Sequence, residues 1–72
     1  MDPIVTARAL ENQGKRLRKM AATMLETKVF PTAVETSIGK ILCSVSVLDH
    51  LDVIDFATDL EADAAKLRRL YH

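Results

Sequence analysis

Hydrophobic positions recur at helical spacing in the first third of the chain. Asp2 and Pro3 suit the N-cap and the first position of a helix, and the apolar residues that follow alternate steps of three and four. Small side chains alternate with large ones along this stripe, an arrangement that lets a second helix approach closely. The pattern predicts a helix over residues 3–28 with an interaction seam formed by Ala7, Leu10, Gly14, Leu17, Ala21 and Met24.

The last third of the chain carries a similar seam. From Val53 onward the apolar residues are spaced strictly by four and then three, and small residues again alternate with large ones. This pattern predicts a helix over residues 52–71, with Asp52 as its N-cap and with Leu51 and Phe56 at the two positions of a hydrophobic staple. The seam of this helix consists of Val53, Ala57, Leu60, Ala64, Leu67 and Tyr71.

The middle of the chain contains the longest uncharged run, from Ile41 to Leu48. Pro31 ends the first helix, and Thr32 with Glu35 makes the T-x-x-E pattern of a capping box. The apolar spacing that follows predicts a second helix over residues 32–49. The run CSVSVL also alternates like a strand, but a lone strand would have no partner, so helix is the favoured interpretation. The seam of this helix would be Val34, Ile38, Ile41, Val45 and Leu48.

These elements predict an all-α fold, a small antiparallel three-helix unit that forms a single domain over residues 1–72. The alternative is a two-helix hairpin with a long, bent second helix, because residues 49–52 contain neither glycine nor proline. A chain of 72 residues buries only about 60% of its unfolded surface. Three seams exceed what so small a chain covers by itself, so we expect self-association into a helical bundle, most simply a homodimer.

Charge is balanced overall but segregated by sign. Residues 1–28 carry six basic and three acidic side chains, whereas residues 49–63 carry six acidic side chains and no lysine or arginine. Blocks of opposite sign indicate specific pairing, within the fold or between copies. They predict an acidic partner face of Asp49, Asp52, Asp55, Asp59 and Asp63, and a basic face of Arg8, Lys15, Arg16, Arg18 and Lys19.

Candidate catalytic chemistry is sparse. Cys43 and the two histidines lack the CxxC and HxxxH spacings of zinc sites, and the two glycines are too far apart for a phosphate-binding loop. The aspartates with His50 would make a metal or acid–base site only with ligands from a facing helix. We therefore expect no enzymatic activity, no cofactor and no metal, and we expect Cys43 to be a small core residue.

The functional hypothesis is a small helical protein–protein interaction module, an adaptor or regulator that acts as a homo-oligomer. Its partners would be itself and an unidentified protein, without a membrane, and the lack of a signal peptide or membrane span favours the cytoplasm. The alternative is a small helical nucleic-acid-binding regulator that uses the basic face. Nucleic acid is the less favoured partner, because no aromatic side chain is interleaved with the basic residues and the last third is acidic.

Overall fold

Two helices joined by a β-hairpin make up the structure, a computed structural model that describes residues 2–71. The elements are α1 (Pro3–Thr27), β1 (Ala33–Glu35), β2 (Ile41–Cys43) and α2 (His50–Tyr71). The prediction of a three-helix unit with helices at 3–28, 32–49 and 52–71 is wrong, and so is the alternative with one long, bent second helix, because the middle segment forms strands. Neither helix within residues 2–71 is long and apolar enough to cross a bilayer.

α1 has well-defined ends. The Asp2 side chain caps its start by accepting a hydrogen bond from the backbone N–H of Ile4 at 2.8 Å, and Pro3 is the first helical residue. Lys28 stops the helix in a left-handed conformation with a φ of 59°, and its N–H donates to the carbonyl of Met24 at 2.9 Å. The helix therefore ends at Thr27, one residue before the predicted boundary.

α2 begins at His50, and a reciprocal pair of aspartates caps it. The N–H of Asp52 donates to Asp49 Oδ1 at 3.0 Å, while the N–H of Asp49 donates to Asp52 Oδ2 at 3.0 Å. Asp49 is therefore the N-cap of a capping box, and the prediction that Asp52 is the N-cap is wrong. The staple positions shift accordingly to Leu48 and Val53, both of which are buried.

The two helices run antiparallel and bury their predicted seams on each other. All six seam residues of α1 are buried, as are Val53, Ala57, Leu60 and Ala64 of α2, whereas Leu67 is half-buried and Tyr71 is exposed. A Cβ atom added at Gly14 would lie 2.8 Å from Cγ of Glu61, so the absence of a side chain at this position allows the close approach. Apart from Leu67 and Tyr71, both seams are thus covered within one chain.

The segment between the helices is a hairpin. Val34 pairs with Leu42 in antiparallel register, and a three-residue loop closes at Thr36, whose N–H donates to the carbonyl of Lys40 at 3.0 Å. Gly39 takes the left-handed conformation that such loops require, with a φ of 82°. Thr32 and Glu35 do not cap a helix, because the chain from Ala33 to Glu35 is the strand that pairs with β2.

Packing against the helices holds the hairpin in place. A two-stranded hairpin by itself is only marginally stable in water. Here Val34 is buried in the core, and the loop is tied to both helices: Gln13 Nε2 donates to Ser37 Oγ at 2.7 Å, and Lys40 Nζ lies 3.3 Å from Asp63 Oδ2. The hairpin therefore lies across one face of the helix pair.

The capping box gives the first testable prediction. Replacement of Asp49 by alanine removes the acceptor for the N–H of Asp52 and lowers the free energy of unfolding by about 1 kcal/mol. Chemical denaturation measures the change. Asp55→Ala is the matched control, because Asp55 lies on the same helix without a capping role, and it leaves stability nearly unchanged. Equal losses in the two variants would contradict this role for Asp49.

Candidate functional site

The hairpin is narrower than the layer of helices on which it lies. Paired strands are about 4.8 Å apart, whereas packed helix axes are about 8–10 Å apart. Two strands therefore leave uncovered space on both sides. We call the space between β1 and α1 the β1 groove and the space between β2 and α2 the β2 groove.

The β1 groove is the larger of the two. It consists of adjoining cavities of about 590 and 350 Å³, which share Met20, Thr23 and Glu35 in their walls. Arg16 and Lys19 line the wider cavity, at the end away from Pro31. The rest of the groove is mainly apolar, and its apolar lining includes Met20, Met24, Val29, Pro31, Ala33 and Val34.

Both strands of the hairpin have a free edge. The N–H of Thr36 donates to Lys40 and the N–H of Ser44 donates to Thr32, each at 3.0 Å, so these residues bond across the hairpin. In an antiparallel pair, inward-bonding residues alternate with residues whose backbone groups point away from the partner. The outward-pointing residues are Ala33 and Glu35 on β1, and Ile41 and Cys43 on β2.

Four of the ten large apolar side chains that are exposed within residues 2–71 lie on the hairpin and the segments that flank it. Val29 is 67% exposed, Ile41 is 59% exposed, Val47 is 56% exposed and Val45 is fully exposed. The prediction that Ile41 and Val45 belong to a buried seam is wrong, because Ile41 lies on the outer face of β2 and Val45 follows that strand. Cys43 is also exposed and is not a core residue, contrary to the prediction.

The predicted acidic face is divided among three roles. Asp52, Asp55 and Asp59 line the β2 groove, a cavity of about 330 Å³ whose wall also includes Leu42, Leu48 and Phe56. Asp49 caps α2, and Asp63 pairs with Lys40. Within residues 2–71, no three His, Cys, Asp or Glu side chains are arranged to hold a metal ion.

One member of the predicted basic face, Arg18, is paired with a side chain of the other helix. Arg18 forms a two-point bridge with Glu61, from Nε to Oε2 at 3.0 Å and from Nη2 to Oε1 at 2.7 Å, and also donates to Thr58 Oγ1 at 3.1 Å. The remaining four side chains are exposed and form no ion pair within residues 2–71: Arg8, Lys15, Arg16 and Lys19.

A second bridge of the same form joins the helices. Arg68 donates from Nε and Nη2 to the two carboxylate oxygens of Glu11, at 2.7 and 2.8 Å. In each bridge the hydrogen bond from the guanidinium is the main reason that the pKa of the glutamate, Glu11 or Glu61, lies below its usual value. The two bridges join α1 to α2 along one face of the antiparallel pair.

Sequence reasoning missed these bridges, although a signal for them exists. Glu11 precedes Arg18 by seven residues, and Glu61 precedes Arg68 by the same seven. Antiparallel packing therefore brings each glutamate to the arginine of the other helix. Seven residues recur fifty positions apart: Asp2, Ile4, Ala7, Leu10, Glu11, Leu17 and Arg18 correspond to Asp52, Ile54, Ala57, Leu60, Glu61, Leu67 and Arg68.

One further cavity and one histidine belong to neither groove. An apolar cavity of about 400 Å³ lies beside the hairpin loop, and Leu10, Ile38 and Leu70 are among its lining residues. His50 is the first residue of α2. Neither location gathers a set of groups with obvious chemistry.

Comparisons with family models, with curated proteins and with solved structures found no match to this chain. The candidate site is therefore defined by geometry: a hairpin with two free edges, exposed apolar side chains and a groove on each side.

The Arg18–Glu61 bridge gives a prediction on pH dependence. Replacement of Arg18 by glutamine raises the pKa of Glu61 toward the ordinary value of 4.5, because the guanidinium no longer bonds the carboxylate. NMR titration of the Glu61 carboxyl carbon measures this shift. Arg16→Gln is the control, since Arg16 forms no ion pair in residues 2–71 and its loss leaves the Glu61 pKa in place.

The same bridge fixes the direction of a stability change. The folded-state pKa of Glu61 is lower than 4.5, so the stabilisation is present above pH 4.5 and is lost as the pH falls through the folded-state value. Arg18→Gln removes this contribution, so the free energy of unfolding of the variant falls less steeply as the pH is lowered below 4.5. An unchanged curve together with an unchanged Glu61 pKa would show that the bridge does not form in solution.

Proposed function

We propose that this chain is a small protein–protein interaction module, an adaptor or regulator, whose contact surface is the hairpin with its two grooves. One observation carries the proposal: a two-stranded sheet with both edges free bears an exposed apolar side chain, Ile41, and is flanked in the chain by the exposed Val29, Val45 and Val47. Contiguous exposed apolar surface and free strand edges are the usual marks of partner binding.

The chemistry of the surface supports binding rather than catalysis. The strands are only three residues long, which limits nonspecific sheet pairing, yet two residues on each strand still offer their N–H and C=O groups. Val45 and Val47 add apolar area next to these groups. A partner that covers this surface gains both main-chain hydrogen bonds and hydrophobic burial.

Self-association remains part of the proposal, although its basis differs from the one expected from the sequence. The seams of α1 and α2 cover each other except at Leu67 and Tyr71, so a homodimer or higher oligomer would form through the hairpin surface instead. Cys43 is the only cysteine, and it is exposed. Because a free, exposed cysteine suits a reducing compartment, we place the module in the cytoplasm.

The hairpin surface can be tested against an equally apolar surface elsewhere. Val45→Ser with Val47→Ser removes the exposed side chains beside β2, and Val5→Ser with Leu70→Ser removes two that are exposed on the helices. We expect the first pair to abolish co-purification of the partner from the native host and to weaken any self-association in sedimentation equilibrium at micromolar concentration. The second pair retains both.

Both double variants should fold like the wild type, because the four side chains are more than half exposed. Circular dichroism checks this point. If both pairs of substitutions leave the co-purified protein and the oligomeric state unchanged, the hairpin is not the contact surface and the proposal fails.

A second candidate function is nucleic-acid binding through the basic face. The supporting observation is that Arg8, Lys15, Arg16 and Lys19 are exposed and form no ion pair within residues 2–71. A gel shift titrated with salt tests it. Binding that weakens steeply with salt and is lost on Lys15→Gln with Arg16→Gln would support this function, and no shift at low salt would exclude it.

A further inference from the structure

We infer that the β1 groove is a docking site for one extended peptide segment of a partner protein, which adds to β1 as a third strand and carries apolar residues followed or preceded by an acidic one. This inference rests on the proposed function and narrows it to one groove and one class of ligand. Four observations carry it: the length of the groove along α1, its free backbone groups, its apolar lining and the cations at one end.

The length of the β1 groove along α1 suits a short extended strand. A third strand would lie about 4.8 Å from β1, over α1, where the two-stranded sheet leaves the helix layer uncovered. From Arg16 to Thr27 the groove follows α1 for eleven residue steps, a length of about 16 Å. An extended chain covers that length with about five residues.

The backbone of β1 supplies the hydrogen bonds for such a strand. Ala33 and Glu35 direct their N–H and C=O groups away from β2, and both residues line the groove. An added strand would exchange hydrogen bonds with these two residues, as the edge strand of a sheet does. Main-chain pairing of this kind holds a peptide without regard to its sequence, so specificity must come from the side chains.

The lining of the groove selects apolar side chains. Met24 and Val34 are buried at its base, and Met20 and Val29 are exposed along it. Successive side chains of a strand alternate between its two faces, so every second residue of the peptide would face this lining. Methionine side chains are flexible and adapt to apolar groups of different shape. The peptide should therefore carry aliphatic or aromatic residues at alternate positions.

The charges at the wider end select an acidic residue. Arg16 and Lys19 line this cavity and form no ion pair within residues 2–71. Glu35 is the one acidic residue in the same wall, so the two cations outnumber it. The β2 groove has the opposite sign, since Asp52, Asp55 and Asp59 line it. An acidic peptide is therefore attracted to the β1 groove and repelled from the β2 groove.

The probe for this inference is a displayed library of random octapeptides selected against the full chain. We expect the selected peptides to have apolar residues at alternate positions and an Asp or Glu at one end. Titration of a selected peptide into the labelled protein should shift the NMR signals of Met20, Met24, Ala33 and Glu35, which all line the groove.

Substitutions of the two free edges locate the peptide. Glu35 and Ile41 lie opposite each other in the hairpin, and the N–H of each points outward, so proline at either position blocks one edge at a similar structural cost. We expect Glu35→Pro to weaken binding of a selected peptide about tenfold or more, because an edge hydrogen bond is lost. Ile41→Pro should leave the affinity close to that of the wild type.

Charge reversal provides an independent comparison. Arg16→Glu with Lys19→Glu should weaken the acidic peptides about tenfold, whereas Arg8→Glu with Lys15→Glu changes the same net charge outside the groove and should have little effect. If the proline variants fail to fold, peptides methylated on single backbone nitrogens replace them. In an added strand, every second backbone N–H of the peptide bonds β1. Methylation of those nitrogens should therefore abolish binding, and methylation of the nitrogens between them should be tolerated.

The outcomes separate this inference from the proposed function. Three outcomes would each overturn strand addition at β1. The selection could yield no binder, or the selected peptides could shift the NMR signals of residues in the β2 groove instead. Binding could also be insensitive to both Glu35→Pro and methylation of the peptide backbone. If co-purification of a host protein still requires Val45 and Val47, the proposal of an interaction module is retained and only strand addition at β1 is rejected. If that co-purification is also insensitive to the two valines, both proposals fail.

Discussion

The close packing of α1 on α2 is the interaction on which the rest of the structure depends. Small residues in both seams let the helices approach, and the free space at Gly14 is filled by the side chain of Glu61. That side chain is held by Arg18, so the charged face and the apolar seam constrain each other. Since a hairpin with two strands cannot stand alone, the helix pair provides the surface on which the middle of the chain folds.

The mismatch between two strands and two helices gives the molecule its candidate site. Strands pack at about half the spacing of helices, so one face of the helix layer is only partly covered. The uncovered space forms grooves bordered by free strand edges, with Arg16 and Lys19 at one groove and aspartates at the other. The grooves therefore differ in the charge of the ligand that they favour, although both offer backbone groups to an added strand.

Local signals were sufficient for the two helices and their buried faces. The Asp2–Pro3 start, the break at Pro31 and the four–three spacing each depend on residues within one or two turns of each other, and they locate α1 to within one residue at its end. The spacing also identified the seams of these two helices apart from the exposed Tyr71, whereas the seam predicted within residues 34–48 does not form. Residues of the site were identified only in part, because Arg16, Lys19 and the aspartates were recognised as charged faces whereas the grooves that they line were not.

The sequence alone determined α1 and α2, the N-cap of α1 and the segregation of charge, since these follow from neighbouring residues. Only the tertiary structure decided the state of the middle segment. Val34, Ile41 and Val45 fit a helical stripe, yet pairing of Ala33–Glu35 with Ile41–Cys43 and burial of Val34 against the helices favour the hairpin. Contacts between residues distant in sequence also determine which charges pair. Arg18 forms an ion pair with Glu61, forty-three residues away, whereas Arg16 lines a groove.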